Sequence, residues 1–470
     1  MKKIEKLIYT GLETIRSLSQ ETGLDLYVVG GTIRDRLMGK PCSDFDFVTR
    51  DAPRLANLFA KKLGCPLVPL DKTPGRETIR VVVSTETYFD FCQIQGKTIE
   101  EDLGRRDFTI NAMAQPLEDY LRDEPEVIDP CNGKADIKNG IIRVVPGPIF
   151  PSDPLRILRA FRFAGSLNFE IEKDTLAKIT QFKSGLDQVA AERIRYELML
   201  LLNEEHCAPI VELMDATGVL DCLFPEITPL AHIHFRQNQR NARQTTLLAL
   251  QDLENLMEFP QELFPKKGME IEKFLSAPAV GRIKLACLLH LLETEKKDAI
   301  HPARSKRKKG NSPSVTVLQR LRASNAEILF VSRTIQCQSE LQETALKIAG
   351  KKEDISAIYS FVKRCGNELI PVLLLVAASH LARSEKKTLA DDPFVKAIQK
   401  IYNFFIDRYL PAQASPVLLN GNDLSRRFKL MPSPLYKIIL ERVEEERILG
   451  SISTREEAEA LARTLIETQK

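Results

Sequence analysis

The chain has 470 residues, and its 67 Lys and Arg nearly balance its 64 Asp and Glu, which leaves a net charge of +3. At 43% hydrophobic residues it is long enough to bury the cores of several domains, and its mixed charges exclude a disordered polyelectrolyte. No window approaches the roughly 18 uninterrupted apolar residues of a membrane span, so we predict no membrane partner. The near-neutral charge, taken alone, argues against a nucleic-acid partner.

The N-terminal segment and the cysteines bear on the compartment. Two lysines open the chain, but Glu5, Glu13 and Arg16 interrupt the apolar residues that follow, so this segment is not predicted to be a signal peptide. The nine cysteines are scattered and form no CxxC pair. Reduced thiols in a cytoplasmic protein are therefore predicted.

Short β-rich runs alternate with turns and helices up to about residue 145. LDLYVVGG predicts a strand that ends at Gly30 and Gly31, and TIRDRLMG predicts a short helix ended by Gly39. SDFDFVT predicts an alternating strand, and APRLANLFAKKLG predicts a helix between Asp51 and Gly64. Further strands are predicted for TIRVVV, TYFDFCQI and FTINAMA. This order, β-α-β-α-β-β-β, predicts an α+β domain with a mixed or antiparallel sheet.

After Pro146 the chain is predicted to be helical almost to its end, because apolar residues recur at spacings of three and four. The segment HPARSKRKKGNSPS, with its basic run at 304–309, is predicted to be a linker or an exposed loop. The tail from about Pro411 is predicted to be a separate helical unit.

Two local patterns in the first part could bind phosphate and metal. Gly30 and Gly31, at a strand-to-helix junction, would let backbone N–H groups approach an anion that Arg34 could also reach, whereas an ordinary strand-to-helix turn is the simpler alternative. Asp44 and Asp46 are two residues apart, so both carboxylates lie on one face of a strand. Two divalent metals would relieve their repulsion and serve phosphoryl transfer, whereas a solvent-facing strand edge is the simpler alternative.

The segment EEDLGRRDFTINAMA, residues 100–114, carries polar groups suited to a nucleotide. Arg105 and Arg106 offer phosphate-binding forks, Asp107 offers an acceptor for sugar hydroxyls, and Asn111 adds a neutral hydrogen-bonding group. A charged loop before a strand is the alternative.

The segment SDPLRILRAFRF, residues 152–163, predicts an amphipathic helix. Asp153, Arg156, Arg159 and Arg162 fall within one half of the helical wheel. Asp153 and Pro154 are also typical of a helix start, and an arginine face can serve solubility. Because arginines three residues apart repel each other, a polyphosphate over this face is the more economical explanation.

Three segments taken together resemble a known family. VVGGTIRDRLMGKPCSDFDF, EEDLGRRDFTINAMA and DPLRILRAFRF, in this order and spacing, resemble the bacterial-type (class II) tRNA nucleotidyltransferases, or CCA-adding enzymes, and the related bacterial poly(A) polymerases. AAERIRYELMLLL at 190–202 is similar to the neck motif of that family, and the tail is similar to its C-terminal helical segment. The resemblance implies a polymerase-β-like, mixed-sheet nucleotidyltransferase head followed by an all-α neck, body and tail. The implied parts are a catalytic head at 1–145, a base-recognising neck at 146–205, a body with a degenerate HD-like region at 206–410 and a tRNA-binding tail at 411–470.

The resemblance also implies roles for individual residues. Asp44 and Asp46 would hold Mg²⁺, and Asp90 is a candidate third carboxylate that could act as a base, although it equally fits a solvent-facing strand residue. The implied nucleotide-binding residues are Gly30, Gly31, Arg34, Arg105, Arg106, Asp107, Asn111, Asp153, Arg156, Arg159 and Arg162. Among these, Asp153 and Arg156 would face the base, with Arg159 and Arg162 behind them.

The base-reading role has a chemical rationale of its own. Cytosine and adenine both present an amino donor beside a ring-nitrogen acceptor, which a carboxylate at Asp153 and a guanidinium at Arg156 would match. Uracil and guanine present a carbonyl at the position of that amino group, and polar sites reject such mismatches well. One protein surface could thus admit CTP and ATP and exclude UTP and GTP.

Several positions depart from the family pattern or remain ambiguous. Ser152 stands where the family usually has Glu, and His290 is followed by Leu instead of the Asp of an HD site, so we predict no phosphohydrolase activity. Arg193 and Glu197 are predicted to form an i, i+4 helix pair. The basic run at 304–309 and the cluster Arg426, Arg427 and Lys429 could contact RNA, with a solvated loop as the alternative for the run.

The sequence therefore predicts a template-independent tRNA nucleotidyltransferase that completes the CCA end at the tRNA 3′ end from CTP and ATP. A CC-adding enzyme, an A-adding enzyme and a poly(A) polymerase share this chemistry and stay open as alternatives. A non-catalytic RNA-binding protein is an alternative from a different class. The sequence leaves the oligomeric state open.

Overall fold

The computed structural model describes residues 2–124, 126–235, 240–265, 268–293, 312–348, 354–384, 389 and 391–468. The chain divides into two compact units: residues 1–201 with 213–223, and residues 202–212 with 224–470. The four-part division expected from the sequence is finer than this one and stays a prediction.

The first unit is built on a mixed six-stranded sheet, which confirms the predicted α+β class. Its strands run in the spatial order β3-β4-β5-β2-β1-β6, and all neighbours are antiparallel except β2 and β5, which are parallel. A separate two-stranded parallel pair is formed by β7 and β8. The strands are β1 (Leu26–Val29), β2 (Asp44–Thr49), β3 (Leu67–Asp71), β4 (Thr78–Ser84), β5 (Thr87–Gln93), β6 (Ala114–Pro116), β7 (Ile141–Ile142) and β8 (Glu170–Ile171).

Aromatic packing fixes the register at the centre of this sheet. Phe45 and Phe47 of β2 stack on Phe89 of β5 with ring centroids 5.2 and 5.6 Å apart, and Phe59 covers Phe89 at 5.0 Å. Each buried phenyl side chain contributes about 1.5–3 kcal/mol. A slip of one residue would turn the alternating aspartates of β2 into this core, so the same packing also fixes which face presents Asp46.

The helices of the first unit lie around the sheet and continue beyond it. Helix α1 was not predicted, and the predicted strand FTINAMA is mostly a 3₁₀ turn, Thr109–Asn111, followed by the short β6. The Asp107 carboxylate accepts from the Phe108 N–H at 2.8 Å, a local bond that competes with strand pairing. The helices up to residue 223 are α1 (Lys2–Thr22), α2 (Gly31–Leu37), α3 (Ala52–Leu63), α4 (Ile99–Leu103), α5 (Leu117–Leu121), α6 (Gly133–Asn139), α7 (Ile149–Ser152), α8 (Leu155–Leu167), α9 (Lys173–Phe182), α10 (Ala191–Leu202), α11 (Ala208–Ala216) and α12 (Val219–Leu223). The first part of α11, up to residue 212, belongs to the second unit.

The second unit is mostly helical, as the apolar spacing predicts. Its tail has a small core of its own, made by Leu419, Leu424, Ile439, Val443, Ala458 and Ala462. All nine cysteines of the chain are free thiols. The helices are α13 (Ala242–Glu258), α14 (Pro260–Leu263), α15 (Ala277–Leu289), α16 (Pro313–Arg320), α17 (Asn325–Ile348), α18 (Ile355–Cys365), α19 (Leu369–Arg383), α20 (Pro393–Phe404), α21 (Leu410–Ala414), α22 (Gly421–Phe428), α23 (Pro434–Leu449) and α24 (Arg455–Glu467).

One helical stretch of the second unit is apolar enough to be compared with a membrane span. Among the described residues, Ile355–Arg383 alone passes that comparison of length and hydropathy, and 78% of its most apolar window is buried within the chain. Burial of this kind is typical of a core helix. The predicted basic loop at 304–309 lies outside the described residues.

Candidate active site

A polar cavity of about 530 Å³ lies within the first unit, bounded by the β1–α2 turn, strand β2, the 3₁₀ turn and helix α8. Eleven of the fourteen predicted site residues line it, and the exceptions are Asp90, Arg105 and Arg162. Phe163 and Arg193 also line the cavity, although neither was predicted as a site residue. The structure therefore brings together sequence segments that are more than 100 residues apart.

The glycine turn leaves room for a close approach to the cavity. Gly30 has φ of 68°, a left-handed conformation that side chains disfavour. A Cβ there would lie 3.1 Å from Nη1 of Arg106 and 3.6 Å from Oδ2 of Asp46. Any other residue would thus be strained by this backbone conformation and would crowd the Arg106 guanidinium. Gly31 follows as the first residue of α2.

Arg34 and the ring of Phe163 connect α2 with α8. Arg34 donates from Nη1 to Oδ1 of Asn111 at 2.8 Å, and its guanidinium lies 5.3 Å from the Phe163 ring centroid. The guanidinium groups of Arg159 and Arg162 lie 5.2 and 4.0 Å from the same ring. Such cation–π contacts hold cations in place without neutralising them. The helical wheel carried the signal for Phe163, which falls among the arginines instead of on the apolar face.

Asp44 and Asp46 form an acidic pair at the cavity. Burial and the nearby Asp90 and Asp44 carboxylates raise the pKa of Asp46 to about 6, against the opposing charge of Arg106. Burial raises the pKa of Asp44 as well. Within the described parts of the chain neither carboxylate has an ion-pair partner. The pair therefore carries negative charge that the protein itself leaves poorly compensated.

These carboxylates suit a divalent cation. Mg²⁺ prefers oxygen ligands and is usually held by one or two carboxylates together with substrate phosphates. No group of three or more His, Cys, Asp or Glu side chains is arranged for a metal in the segments that the structure describes, so further ligands would come from a nucleotide or water. The donor set thus fits a cation shared with a bound triphosphate.

Asp90 lies beside Asp46 but is engaged elsewhere. The two residues are directly opposite in the parallel β2–β5 register. Both oxygens of Asp90 accept from Arg80, at 2.8 Å from Nε and 2.7 Å from Nη2. Its role as a base stays a prediction, and that role would require Arg80 to move away.

The loop before the 3₁₀ turn contributes Arg106, which has a hydrogen-bond donor without a partner. Arg106 donates to Asp102 at 3.2 Å, while its buried Nε has no hydrogen-bond partner. A buried donor without a partner costs about 1–3 kcal/mol, which a bound anion would recover. Arg105 is exposed and lies outside the cavity lining.

Asp107 is occupied by protein groups. One oxygen accepts from the Phe108 N–H at 2.8 Å and from Asn111 at 3.2 Å, and the other accepts from Arg159 Nε at 2.8 Å and Nη2 at 2.7 Å. Burial alone would raise the pKa of Asp107, but Arg159 and these hydrogen bonds hold it below its usual value. Asp107 therefore positions Arg159 and Asn111, and a bond to a sugar hydroxyl would require one partner to leave.

The arginine face of α8 is neutralised largely by the protein. Arg159 pairs with Asp107 and Glu197, and Arg162 donates from Nε to Glu197 at 2.6 Å. Carboxylates from other elements therefore relieve the repulsion between Arg159 and Arg162, and a polyphosphate over this face stays a prediction. Arg156 is the exception, since no ion pair to it occurs among the described residues.

The predicted helix pair between Arg193 and Glu197 is also wrong. Arg193 donates from Nη2 to Oδ2 of Asp153 at 3.0 Å, and Glu197 binds the two arginines of α8. Both side chains of α10 thus bind residues of another segment, Arg193 just before α8 and Glu197 within α8, instead of each other. Partners across elements satisfy them better than the weak i, i+4 contact.

Two further predictions from the sequence concern His290 and the basic cluster of the tail. His290 is buried, its Nδ1 lies 2.6 Å from the Cys287 carbonyl and its Nε2 lies 3.1 Å from Ser379 Oγ. Burial lowers the pKa of His290 to about 3, so this imidazole is neutral. In the tail, Arg426 and Lys429 are exposed, while Arg427 pairs with Glu459.

Comparisons with known proteins cover both ends of this cavity. Residues 26–143 match the family model described as "Poly A polymerase head domain", and residues 168–230 match "Probable RNA and SrmB-binding site of polymerase A". A CC-adding tRNA nucleotidyltransferase of Geobacter sulfurreducens is 40% identical over 215 residues, which is 45% of this chain and 48% of that protein. A CC-adding enzyme of Synechocystis is 29% identical over 93% of both chains, and an A-adding enzyme of Deinococcus radiodurans is 28% identical over 94% of this chain and 95% of its own.

Solved structures extend the likeness to the whole fold. The Thermotoga maritima CCA-adding enzyme complexed with tRNA is 22% identical, with a TM-score of 0.65 over 99% of this chain and 96% of that one. A CCA-adding enzyme in complex with CTP is 23% identical, with a TM-score of 0.65 over 99% and 98% of the two chains. The head-domain match and the relatives aligned along nearly the full length make this chain similar to the tRNA nucleotidyltransferases and bacterial poly(A) polymerases, and its fold is that of the CCA-adding enzymes.

Proposed function

We propose that this chain is a cytoplasmic, template-independent tRNA nucleotidyltransferase that adds C and A to the tRNA 3′ end from CTP and ATP. The observation that carries this proposal is the single cavity that joins the acidic pair Asp44 and Asp46 to the polar pair Asp153 and Arg156. One end has the chemistry for phosphoryl transfer, and the other end has the chemistry for reading an amino-bearing base.

In the proposed reaction the tRNA 3′-hydroxyl attacks the α-phosphorus, the new P–O bond forms, and the bond to the β-phosphate oxygen breaks to release pyrophosphate. Asp44 and Asp46 would hold Mg²⁺, which when bound activates the attacking oxygen and neutralises the leaving group. Arg34 and Arg106 would bind the triphosphate, and the unpartnered Nε of Arg106 offers a donor for it. Gly30 keeps the approach open.

Base selection would rest on Asp153 and Arg156. Asp153 would accept from the exocyclic amino group, and Arg156 would donate to the adjacent ring nitrogen. UTP and GTP would bring a carbonyl oxygen toward the carboxylate, which costs a buried mismatch. The exposed Arg426 and Lys429 of the tail support contact with the tRNA backbone.

Transcripts of one tRNA that end at the discriminator base, at C and at CC test the proposal, each incubated with CTP, ATP or both. We expect CTP alone to add two residues, ATP alone to add one residue only to the CC-ended transcript, and both to complete CCA. Long tails from ATP alone would instead mean a poly(A) polymerase. No incorporation on any transcript would contradict the proposal and leave an RNA-binding role.

A CC-adding enzyme is the second candidate, because relatives of that name are 40% and 29% identical. The same assay separates the two, since a CC-adding enzyme would extend the discriminator-ended transcript with CTP but leave the CC-ended transcript unchanged with ATP. An A-adding enzyme would give the reverse pattern.

A further inference from the structure

The arginines that line the cavity are paired with one exception. Arg34 pairs with Asp35, Arg106 with Asp102, Arg159 with Asp107 and Glu197, and Arg193 with Asp153. Arg156 has no ion-pair partner in the described parts of the chain. Burial, together with the charges of Arg159 and Arg76, lowers the pKa of its guanidinium against the opposing effect of Asp107 and Asp153.

The sequence does not predict that Arg156 lacks an ion pair among the described residues. Asp153, in extended backbone just before α8, and Arg156, in the first turn of α8, have opposite charges and are close enough for the carboxylate to act on the guanidinium. A closed pair of this kind would leave neither group available to a base.

The contacts of Asp153 explain why the pair is open. Oδ1 accepts from the Leu155 N–H at 3.2 Å, and Oδ2 accepts from Nη2 of Arg193 at 3.0 Å. The carboxylate is therefore held on one side by the first N–H group of α8 and on the other by Arg193 of α10. Each oxygen keeps a lone pair for a further donor, as a carboxylate offers about four acceptor positions.

The place of Arg193 within α10 does not explain why this residue is an arginine. It is the third residue of α10, in the first helical turn, where the helix dipole favours acidic and not basic side chains. Its carboxylate partner instead lies 40 residues earlier in the chain. The contact with Asp153 is the ion pair that the structure shows for this half-exposed arginine at the cavity.

We propose that Arg193 is a positioning residue for base selection: it holds Asp153 away from Arg156 and so keeps the base-reading pair open for a nucleobase. This inference rests on the proposed function and deepens it. Arg193 does not itself read the base, and its effect passes through Asp153. Without it, Asp153 and Arg156 would close on each other, and every cognate nucleotide would first have to break that contact.

The test is Arg193→Gln in the full chain, with CTP, ATP and UTP compared on the same tRNA transcript. We expect KM for CTP and ATP to rise about tenfold, which corresponds to one charge-assisted hydrogen bond, and the ratio of kcat/KM for CTP to that for UTP to fall by a similar factor. KM for tRNA should stay unchanged. Arg193→Lys should keep most of the selectivity because it retains the cation, and Arg54→Gln, at an exposed arginine of α3, is the matched control.

A second variant separates positioning from a purely structural role. In an Arg156→Gln background Asp153 has no cation to close on, so Arg193→Gln should change selectivity less than twofold further. Equal effects of Arg193→Gln in both backgrounds would overturn the inference. So would an unchanged CTP to UTP ratio, or an equal loss of activity for all nucleotides together with a lower Tm.

Nucleotide binding measured without tRNA keeps the two proposals distinguishable. If the wild-type chain binds CTP more tightly than UTP yet extends no tRNA, the proposed function fails, and the binding ratio of Arg193→Gln still tests this inference. If the wild-type chain shows no preference between CTP and UTP, the inference fails with it.

Discussion

Two clusters of buried charges, one in each unit of the molecule, are satisfied to different degrees. In the second unit, Lys284 donates to Glu254 at 2.6 Å and to the Glu205 carbonyl at 3.0 Å, and both side chains are almost fully buried. Glu254 also accepts from the N–H groups of Cys207 and Ala208 at 2.7 and 3.1 Å, at the start of α11. Each of these two charges has several partners within the protein.

The polar side chains at the cavity of the first unit are only partly satisfied by hydrogen bonds and ion pairs. Asp46 has a raised pKa, Arg106 has a buried donor without a partner, and Arg156 has no counter-ion among the described residues. Unsatisfied polar groups in a folded protein are costly, so they tend to persist where a ligand completes them. We infer that the cluster of Lys284 and Glu254, called the closed cluster below, serves the fold, whereas the cavity of the first unit serves binding.

The largest effect should come from Asp46→Asn. We expect nucleotide incorporation to fall about 10⁴-fold (about 5.5 kcal/mol), because the acidic pair loses the charge that a divalent cation needs. The Tm should not fall, because the substitution removes a carboxylate that its surroundings disfavour. Single-turnover incorporation of CTP and a thermal melt measure the two quantities, with Asp187→Asn on an exposed turn as control. Activity within tenfold of wild type would refute the assignment.

The closed cluster should respond in the opposite manner to Lys284→Met. Removing one partner of a buried pair leaves an uncompensated charge, so the free energy of unfolding should drop by about 3–5 kcal/mol. The affinity of the folded protein for CTP should stay unchanged. Urea unfolding and calorimetric binding check these results, and Lys284→Met with Glu254→Gln should recover part of the loss. A loss below about 1 kcal/mol would show that the pair stabilises little.

A smaller effect is expected from the pH dependence of His290. Its pKa is about 3 when folded and about 6.5 when unfolded, so its contribution to stability is present above pH 6.5 and is lost as the pH falls toward 3. Between pH 8 and pH 5 the free energy of unfolding should therefore fall by about 2 kcal/mol more in wild type than in His290→Gln. Urea unfolding at the two pH values measures this difference, with the exposed His206→Gln as control. Parallel pH profiles for wild type and His290→Gln would contradict a buried neutral imidazole.

Patterns within one element were predictable from the sequence. The alternation of Asp44, Phe45, Asp46 and Phe47 predicts both a strand and its acidic face, and the glycines predict the turn before α2. The helical wheel of residues 152–163 correctly collects the charges of α8 on one side. These patterns are local, because they follow from the repeat of a strand or a helix.

Pairings between elements were not predictable in the same way. Arg193 meets Asp153, and Glu197 meets Arg159 and Arg162, across 35 to 40 residues of chain. The sequence offers each of these charges a nearer partner, and only the tertiary fold selects the distant one. For the same reason the sequence did not show that carboxylates from other elements pair with the arginine face. It also did not show that Asp90 pairs with Arg80.

The selectivity of Arg156→Gln tests most directly whether an unsatisfied charge marks the functional end of the cavity. The measurement is the ratio of kcat/KM for CTP to that for UTP on one tRNA transcript, in wild type and in the variant. We predict that the ratio falls about 30-fold (about 2 kcal/mol) with no loss of thermal stability, because Arg156 supports no ion pair in the fold. An unchanged ratio, or a fall in Tm with selectivity retained, would contradict the account and make Arg156 a structural residue like Lys284.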